Sequence, residues 1–307
     1  LESIRRRDPG IDRKRIGVYV YDDGSPEGIP PATGEGLRGL LDTGFAWTDT
    51  GRNSVNQGIA PSWNAATRRL FSEGARIVVL LNDDVLVEDR WLEAMIYFLD
   101  NNPQAGMVSW PQLFFASEDA PRIIDNPRLV FPRHPIDRDS SGARLRVPRP
   151  DPGSDRLGRL GCPSGAAFAF TKEKWDLTPG FPDRFRSFHE ESQTSFLLVQ
   201  QGFPAYGLTF PCVWHQWSAT FNSNPELKAH ETMRHSRELF CEYWKVPFEF
   251  GQRPFDYVHP LLMHKVPGYH LKWMWRDGLR EEDEPSCGCA RCVYTREHGG
   301  QVPPATF

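Results

Sequence analysis

Residues 75–84 read Ala-Arg-Ile-Val-Val-Leu-Leu-Asn-Asp-Asp, an apolar run that stops at three polar residues. A short β-branched and apolar run that ends in this way predicts a buried strand. The chain repeats the pattern earlier, because residues 16–21 form a β-branched and aromatic run that ends at Asp22-Asp23-Gly24-Ser25. Each of the two predicted strands therefore carries carboxylates at its C-terminal end.

Helical and strand patterns alternate around these two runs. Apolar residues recur at helical spacing in residues 62–72 and 89–99, and residues 106–110 predict a further strand. Alternating strands and helices favour an α/β sheet with parallel pairings. In such sheets ligands bind beyond the carboxyl ends of the strands, so both acidic clusters lie where a ligand is expected.

Length and composition limit the size of the core and the class of protein. The 307 residues, 39% of them hydrophobic, suffice for one large core or for one core and a smaller appendage. The net charge of −4 gives no indication of a protein that works on nucleic acid or on an anionic membrane. No apolar run approaches the roughly 18 residues that cross a bilayer, and residues 1–10 do not resemble a signal peptide. We therefore expect a cytoplasmic protein whose six cysteines are reduced.

The second half of the chain is less regular. Residues 117–155 are rich in Pro, Arg, Asp and Ser and predict a long loop. Residues 161–170 then predict a strand, and residues 190–201 predict a helix. Polar helices and proline-punctuated aromatic segments follow, so we expect an α/β domain over residues 1–221 and a C-terminal extension over residues 222–307.

The acidic pairs have two interpretations each. Asp83 and Asp84 supply hard oxygen ligands, which suit Mg²⁺ or Mn²⁺ together with phosphate oxygens. Two acids after a strand could equally cap the next helix. For Asp22 and Asp23, a turn flanked by Gly24 is an adequate structural explanation. From the residues alone, both interpretations stay open.

The order of the motifs resembles that of the inverting family-2 glycosyltransferases of the GT-A fold. The matching motifs are Asp22-Asp23-Gly24-Ser25, Asn56-Gln57-Gly58, Trp63-Asn64-Ala65-Ala66, Asn82-Asp83-Asp84, Gly180-Phe181-Pro182-Asp183 and Phe188-His189-Glu190-Glu191. Several spaced matches are far more specific than any one of them. The resemblance implies a three-layer α/β/α sandwich with a mostly parallel sheet and a small C-terminal extension. It also implies transfer of a sugar from a nucleoside diphosphate to an acceptor hydroxyl.

The resemblance gives roles to particular residues. The nucleotide is assigned to Asp22, Asp23, Asn56, Asn64 and Asp83. Asp84 corresponds to the family's metal-binding acid for Mn²⁺ or Mg²⁺, whereas Asn82 replaces the first acid of that motif. The catalytic pair is Glu190 and Glu191, with Glu191 as the base that deprotonates the acceptor. The other interpretation of this pair is two acids favoured by a helix N-terminus.

His215 lies between two tryptophans, where the family often places a histidine that ligates the metal or contacts the diphosphate. Imidazole is a suitable ligand beside a carboxylate. A packed core histidine is an equally good interpretation. Trp214 and Trp217 could present flat faces to a sugar, although tryptophans are more often core residues.

The start of the chain departs from the family's pattern. The family's first strand should precede the helix that residues 1–4 finish, and it is absent from the sequence. We expect either that the chain starts inside a longer protein or that the sheet is completed in another way.

A cysteine cluster near the end is a separate signal. Cys287, Cys289 and Cys292 are close enough to share a structural Zn²⁺, with His298 as the fourth ligand. His264 and His270 are competing candidates for that fourth position. The other interpretation is a tail with free thiols.

Two other classes of function remain open. One is a non-catalytic protein of the same fold that binds carbohydrate or nucleotide, and the other is a nucleic-acid-associated protein that uses the zinc-like tail and the arginines of residues 122–159. If the protein is a transferase, the resemblance favours a UDP- or dTDP-linked sugar as the donor. The acceptor could be a glycan, a small molecule or a modified nucleic acid, and the sequence does not predict the oligomeric state.

Overall fold

The computed structural model describes residues 1–110, 112–115, 117–125, 158–160, 163–203, 205–208, 211, 213–216 and 229–244. These residues form eight α-helices, which are α1 (Glu2–Arg6), α2 (Pro31–Asp42), α3 (Ile59–Ser72), α4 (Trp91–Asn101), α5 (Ala120–Asp125), α6 (Lys172–Asp176), α7 (Glu190–Gln200) and α8 (Ala229–Trp244). The ten described strands are β1 (Gly17–Asp22), β2 (Trp47–Arg52), β3 (Ile77–Leu81), β4 (Val85–Val87), β5 (Val108–Ser109), β6 (Gln112–Phe114), β7 (Gly158–Leu160), β8 (Ala167–Thr171), β9 (Ala205–Gly207) and β10 (Val213–His215).

The described strands form three sheets. Their orders are β1-β2, β3-β8-β5-β9-β7 and β4-β10-β6. Helices pack against these sheets, which confirms the expected α/β fold class. The sequence predicted a mostly parallel sheet, and the described sheets are mixed, with three parallel and four antiparallel pairings among the described strands.

The late strand β8 is the reason for this difference. It lies between β3 and β5 and runs antiparallel to both. β3 and β5 therefore run in the same direction, as a strand-helix-strand connection requires, but they are not hydrogen-bonded neighbours. Ala167, Phe168 and Ala169 of β8 are fully buried, so this strand fills the middle of the core.

β1 and β3 are edge strands in the described part of the chain. β1 pairs with β2 alone and β3 pairs with β8 alone, so no described strand is hydrogen-bonded between them. Helix α3 contacts both strands. Val18 and Val20 of β1 pack against the same apolar cluster as Ile77 and Val79 of β3. These two sheets thus share one apolar cluster, although no described strand joins them.

The aromatic core beneath α3 fixes the position of that helix. Trp63 on α3 makes edge contacts with Phe168 and Phe181, with ring centroids 5.2 and 5.1 Å apart. Aromatic pairs of this geometry add about 0.5–1.5 kcal/mol beyond the area that they bury. The α3 face that carries Trp63 is therefore locked against β8 and the segment around Phe181.

Helix α8 follows the expected domain boundary and packs on α7. The ring of Phe240 lies 5.8 Å from Phe196 and 5.2 Å from His189. The hydroxyl of Ser236 donates to the carbonyl of Ser187 at 2.6 Å. The first described helix of the predicted extension is thus part of the same core as α7.

The predicted loop of residues 117–155 begins with helical structure. Residues 117–119 form a 3₁₀ turn, α5 follows, and residues 126–155 lie outside the described part. Ile123 is buried, and Arg7 donates to the carbonyls of Ile123 and Ile124. These partners are distant in sequence, which is why local composition did not indicate α5. Among the described helices, none is both long and apolar enough to span a bilayer.

Candidate active site

Two antiparallel strands bring Asp84 and His215 together. β4 begins at Val85, directly after Asp84, and pairs with β10 so that Val85 lies opposite His215. The backbone N–H of Gln216 donates to the carbonyl of Asp84 at 3.1 Å, which extends the ladder. Strand alternation directs Trp214 to one face of this sheet and His215 to the other. The Nε2 of His215 lies 3.2 Å from Oδ1 of Asp84.

Trp214 belongs to the core. It is buried with Phe115 and Ile123, and its Nε1–H donates to the carboxylate of Glu88 at 3.0 Å. A tryptophan with its ring packed and its N–H satisfied is not available to stack on a sugar. Trp217 lies outside the described residues.

A hydrogen-bonded pair supports His215 from the other side of its ring. The Oε1 of Gln112 lies 3.2 Å from Nδ1 of His215. The amide N–H of Gln112 donates to the hydroxyl of Ser164. β6 pairs in parallel with β10 and places Gln112 opposite Val213, so Gln112 and His215 share one face. Gln112 and Ser164 are both buried.

Asp83 lies beside Asp84, and its carboxyl reaches solvent. Desolvation by the surrounding protein raises the pKa of Asp83 above its ordinary value, and the charge of Asp84 raises it further. Two neighbouring carboxylates repel each other, and a cation beside them would relieve that repulsion. The pair therefore favours a bound cation.

Glu190 and Glu191 open helix α7 in the interior of the protein. Their exposed fractions are 3% and 4%, and the next four polar residues of the helix are buried as well. Phe188 and His189 immediately before them have φ of 70° and 73°, the left-handed region. Such conformations cost on the order of 1–2 kcal/mol per residue and cluster at functional sites. The backbone is therefore strained at Phe188 and His189, directly before the acid pair.

Burial sets the protonation of the residues around α7. It raises the pKa of Glu190 well above its ordinary value, and the charge of Glu191 adds to the shift. It lowers the pKa of His189 to about 3, with a further contribution from Arg237. Burial thus favours the protonated form of Glu190 and the neutral form of His189.

Gly165 connects the acid pair to the Asp84 region. A methyl group added at Gly165 would lie 3.4 Å from Cδ of Glu191, so the carboxyl group of Glu191 lies directly against this residue. Ser164 next to it binds Gln112, which in turn contacts His215. A continuous series of contacts therefore runs from Glu191 to Asp84.

Asp23 closes the N-terminus of α3. Its Oδ1 accepts from the backbone N–H of Gln57 at 3.0 Å and from the Asn53 amide at 2.7 Å. Its Oδ2 accepts from the N–H of Gly58 at 2.8 Å. α3 has no capping side chain of its own, because its N-cap is Gly58. A carboxylate directly after β1 thus binds the backbone N–H groups of the turn that leads into α3.

The neighbours of Asp23 hold the same turn. Asp22 accepts from the backbone and hydroxyl of Ser25 and pairs with Arg52 at 2.7 Å. Asn56 is exposed and accepts from Arg186 at 3.2 Å. The carbonyl of Arg186 also accepts from the N–H of Ile59 at 3.0 Å, which ties this turn to the segment that leads into α7.

Asn64 lies inside the protein. Its amide donates to the carbonyl of Phe181 at 2.7 Å and to Asp183 at 2.9 Å, and its Oδ1 accepts from the N–H of Phe181 at 2.8 Å. Every one of these bonds joins α3 to the segment before α7. Asn64 is therefore placed to hold that segment in position.

The residues at Asp84 fit a divalent cation in part. Oδ1 of Asp84 is buried and accepts no hydrogen bond, although it lies 3.2 Å from an imidazole nitrogen. Adjacent ligands about 2.1 Å from one octahedral cation are separated by about 3 Å. Within the described residues no three His, Cys, Asp or Glu side chains form a metal cluster. The chain thus offers two ligands here, a number that suits Mg²⁺ or Mn²⁺ completed by phosphate oxygens and water.

The sequence did not indicate Gln112, Ser164 or Arg186. Gln112 follows a predicted strand, so its position at a strand end was the one available signal. Ser164 and Arg186 contact partners 52 and 130 residues away along the chain. Only the fold brings these pairs together.

The predicted zinc ligands Cys287, Cys289, Cys292 and His298 lie outside the described residues, as do His264 and His270. The Zn²⁺ site stays a prediction. Cys241 on α8 is a free, buried thiol.

Comparison with known proteins gives a limited result. No protein-family model matches the chain, and no curated protein matches it. The chain is similar to the structure of the mannosyltransferase PcManGT from Pyrobaculum calidifontis in complex with GDP-Man and Mn²⁺, with 18% identity and a TM-score of 0.48. That match covers 99% of this chain and 72% of the other.

Two further structures are similar at the same level. The crystal structure of GalNAc-T7 with UDP, GalNAc and Mn²⁺ has 14% identity and a TM-score of 0.47, and the match covers 69% of this chain and 39% of that one. S. aureus TarS in complex with UDP has 13% identity and a TM-score of 0.46, with 85% and 64% covered.

Proposed function

We propose that the protein is a metal-assisted, inverting glycosyltransferase that moves a sugar from a nucleoside diphosphate to an acceptor hydroxyl. One observation carries the proposal. The buried Oδ1 of Asp84 lies 3.2 Å from Nε2 of His215 without accepting a hydrogen bond, and a continuous series of contacts joins this pair to a buried acid at a strained turn.

Asp84 and His215 hold Mn²⁺ or Mg²⁺ in this proposal. The cation would neutralise the negative charge that develops on the departing diphosphate. Asp83 completes the acidic end of β3 and lies on the nucleotide side. Asp22, Asp23 and Asn56 surround the turn before α3, and the proposal assigns the nucleoside to that turn. Asn64 acts through the segment that it holds, since its polar atoms are bonded within the protein.

Glu191 is the base. It removes the proton of the acceptor hydroxyl as the oxygen forms a bond to the anomeric carbon. The bond from that carbon to the diphosphate oxygen breaks, and the nucleoside diphosphate leaves with the electron pair. Attack from the opposite side inverts the anomeric configuration. Burial and the charge of Glu191 raise the pKa of Glu190, which favours its protonated form, so we assign the charged carboxylate that a base needs to Glu191.

The donor is found by thermal stabilisation. UDP, dTDP, GDP and CDP are each added with and without Mn²⁺, because a ligand that binds only the folded protein raises its apparent melting temperature. UDP or dTDP is expected to give the largest Mn²⁺-dependent shift. The matching nucleotide sugar is then incubated with candidate acceptors, which are glycans, small-molecule alcohols and modified nucleic acid.

The stereochemistry of the product tests the reaction. Proton NMR of the new glycosidic bond should show an anomeric configuration opposite to that of the donor. A retained configuration would contradict the assignment of Glu191 as a base in a single displacement. Nucleotide binding without any transfer, unchanged in Glu191→Gln, would indicate the non-catalytic binding protein instead.

A further inference from the structure

The ring of His215 is held between two acceptor atoms. Oε1 of Gln112 lies 3.2 Å from Nδ1, and Oδ1 of Asp84 lies 3.2 Å from Nε2. A neutral imidazole carries one N–H and one bare nitrogen, so its tautomer decides which acceptor receives the proton.

The orientation of the Gln112 amide decides the tautomer. Its NH₂ group donates to the hydroxyl of Ser164, which turns the carbonyl oxygen toward His215. A carbonyl oxygen accepts and cannot donate, so Nδ1 of His215 must carry the hydrogen. Gln112 and Ser164 are 5% and 2% exposed, which removes competing water from both groups.

The tautomer also determines the state of the other ring nitrogen, Nε2. In the Nδ1–H tautomer, Nε2 is bare and faces the carboxylate oxygen of Asp84, which accepts no hydrogen bond. Two lone pairs at this separation repel each other unless a positive charge lies between them. We infer that Gln112 and Ser164 are positioning residues that fix His215 in the Nδ1–H tautomer and aim its bare Nε2 at the cation site shared with Asp84.

This inference goes beyond the proposed function and rests on it for the identity of the cation. Partners that bind the second nitrogen of a metal-ligating histidine typically change metal affinity by 10- to 100-fold. An amide carbonyl in this position is an alternative to the more usual carboxylate or backbone carbonyl. Gln112 would thus orient the ring without adding a negative charge to the site.

The tautomer is measured first, in the metal-free protein, by ¹⁵N NMR of the imidazole nitrogens. His215→Asn identifies the His215 signals among those of the nine histidines. A protonated Nδ1 and a bare Nε2 are expected. A protonated Nε2 with a bare Nδ1 would overturn the inference, whatever the metal does.

Mn²⁺ affinity, followed by electron paramagnetic resonance, is the second readout. Gln112→Met removes the acceptor at similar volume and should weaken Mn²⁺ binding about tenfold or more, with a shift toward the other tautomer. Gln112→Glu restores an acceptor for Nδ1–H and should recover most of the affinity. Gln104→Met, an exposed glutamine replaced in the same way, is the control and should change neither readout.

The variants separate positioning from folding. A merely structural role for Gln112 would lower the melting temperature of Gln112→Met and leave the tautomer and the Mn²⁺ affinity unchanged, and this result would overturn the inference. If Gln112→Met does not fold, Ser164→Ala replaces it, because the released amide can then rotate. Failure of the wild-type protein to bind Mn²⁺ at all would contradict the proposed function, whereas the NMR result would still decide the tautomer.

Discussion

Asp23 and Asp84 both lie at the C-terminal ends of strands, but the protein treats them in opposite ways. Asp23 accepts hydrogen bonds on both carboxylate oxygens from the turn before α3. Asp84 leaves its buried Oδ1 without a hydrogen bond beside His215. The hydrogen bonds of one carboxylate thus hold the fold, whereas one oxygen of the other has the environment that the proposed cation site requires.

The difference distinguishes a carboxylate that supports the fold from one that is proposed to take part in the chemistry. A carboxylate that accepts hydrogen bonds on both oxygens stabilises the folded state, and its removal leaves the donors unpaired. A buried carboxylate oxygen without a hydrogen bond lowers the stability of the folded state. Its presence therefore indicates a role other than stabilising the fold. Substitutions at the two aspartates should therefore have different effects on stability.

The largest effect is expected at the base. Glu191→Gln keeps the shape of the side chain but cannot take a proton, so turnover should fall about 10³-fold. Nucleotide binding should be unchanged, because the proposed nucleotide contacts lie elsewhere. Steady-state kinetics and calorimetric titration measure the two quantities. Glu35→Gln, on the exposed face of α2, is the matched control, and equal turnover in both variants would contradict the assignment.

The pH dependence of stability tests the buried start of α7. His189 has a pKa of about 3 in the folded protein, and about 6.5 when unfolded. The unfolded state therefore binds the extra proton between these values, and stability is lost as the pH falls through that window. The loss is on the order of 3–4 kcal/mol for a group this buried.

His189→Asn should remove most of this loss, since asparagine tolerates the left-handed backbone. Glu190 acts in the opposite direction, because its raised pKa makes stability fall as the pH rises above about 4.5. Urea denaturation of wild type, His189→Asn and Glu190→Gln between pH 3 and 7 separates the two. An acid slope as steep in His189→Asn as in wild type would show that this histidine is not buried in its neutral form.

The free energies of unfolding of two variants test the difference between Asp23 and Asp84 directly. Asp23→Ala removes three hydrogen bonds that hold the turn before α3, so the free energy of unfolding should fall by about 2–3 kcal/mol. Asp84→Asn should change it by less than about 0.5 kcal/mol, or should increase it slightly. Chemical denaturation of both variants is the measurement. Equal losses in the free energy of unfolding would show that the two aspartates do not differ in this way.

A smaller effect is expected at Gly58, which holds the same turn. Its φ is 98°, and an added methyl group would lie 2.7 Å from the carbonyl oxygen of Arg186. Gly58→Ala should therefore cost about 1–2 kcal/mol in strain. Gly44→Ala is a control with a similar φ of 95° and open space around the added methyl group. An equal loss of stability in Gly44→Ala would show that backbone strain alone, without the contact to Arg186, sets the cost.

The sequence predicted the parts of the fold that depend on local pattern. The apolar runs before Asp22 and Asn82 became β1 and β3, and the acids at residues 190–191 open α7 as predicted. These signals lie within one strand or one turn of a helix.

Long-range parts of the structure escaped prediction. β2 reads Trp-Thr-Asp-Thr-Gly-Arg and is a strand because it pairs with β1, although its pattern is polar. The insertion of β8 between β3 and β5 joins segments about 90 residues apart and depends on packing rather than on local pattern. The contact of Gln112 with Ser164 and His215 has the same origin, since no local rule connects these three residues.

The central claim is that Asp84 and His215 hold the cation that links the nucleoside diphosphate to the protein. Its most direct test is calorimetric titration with the preferred nucleotide, with and without Mn²⁺, in wild type and Asp84→Asn. The account predicts that Mn²⁺ tightens binding to the wild type by about tenfold or more, a coupling of about 1.4 kcal/mol, and does not tighten binding to Asp84→Asn. An equal enhancement by Mn²⁺ in both proteins would place the cation elsewhere and contradict the account.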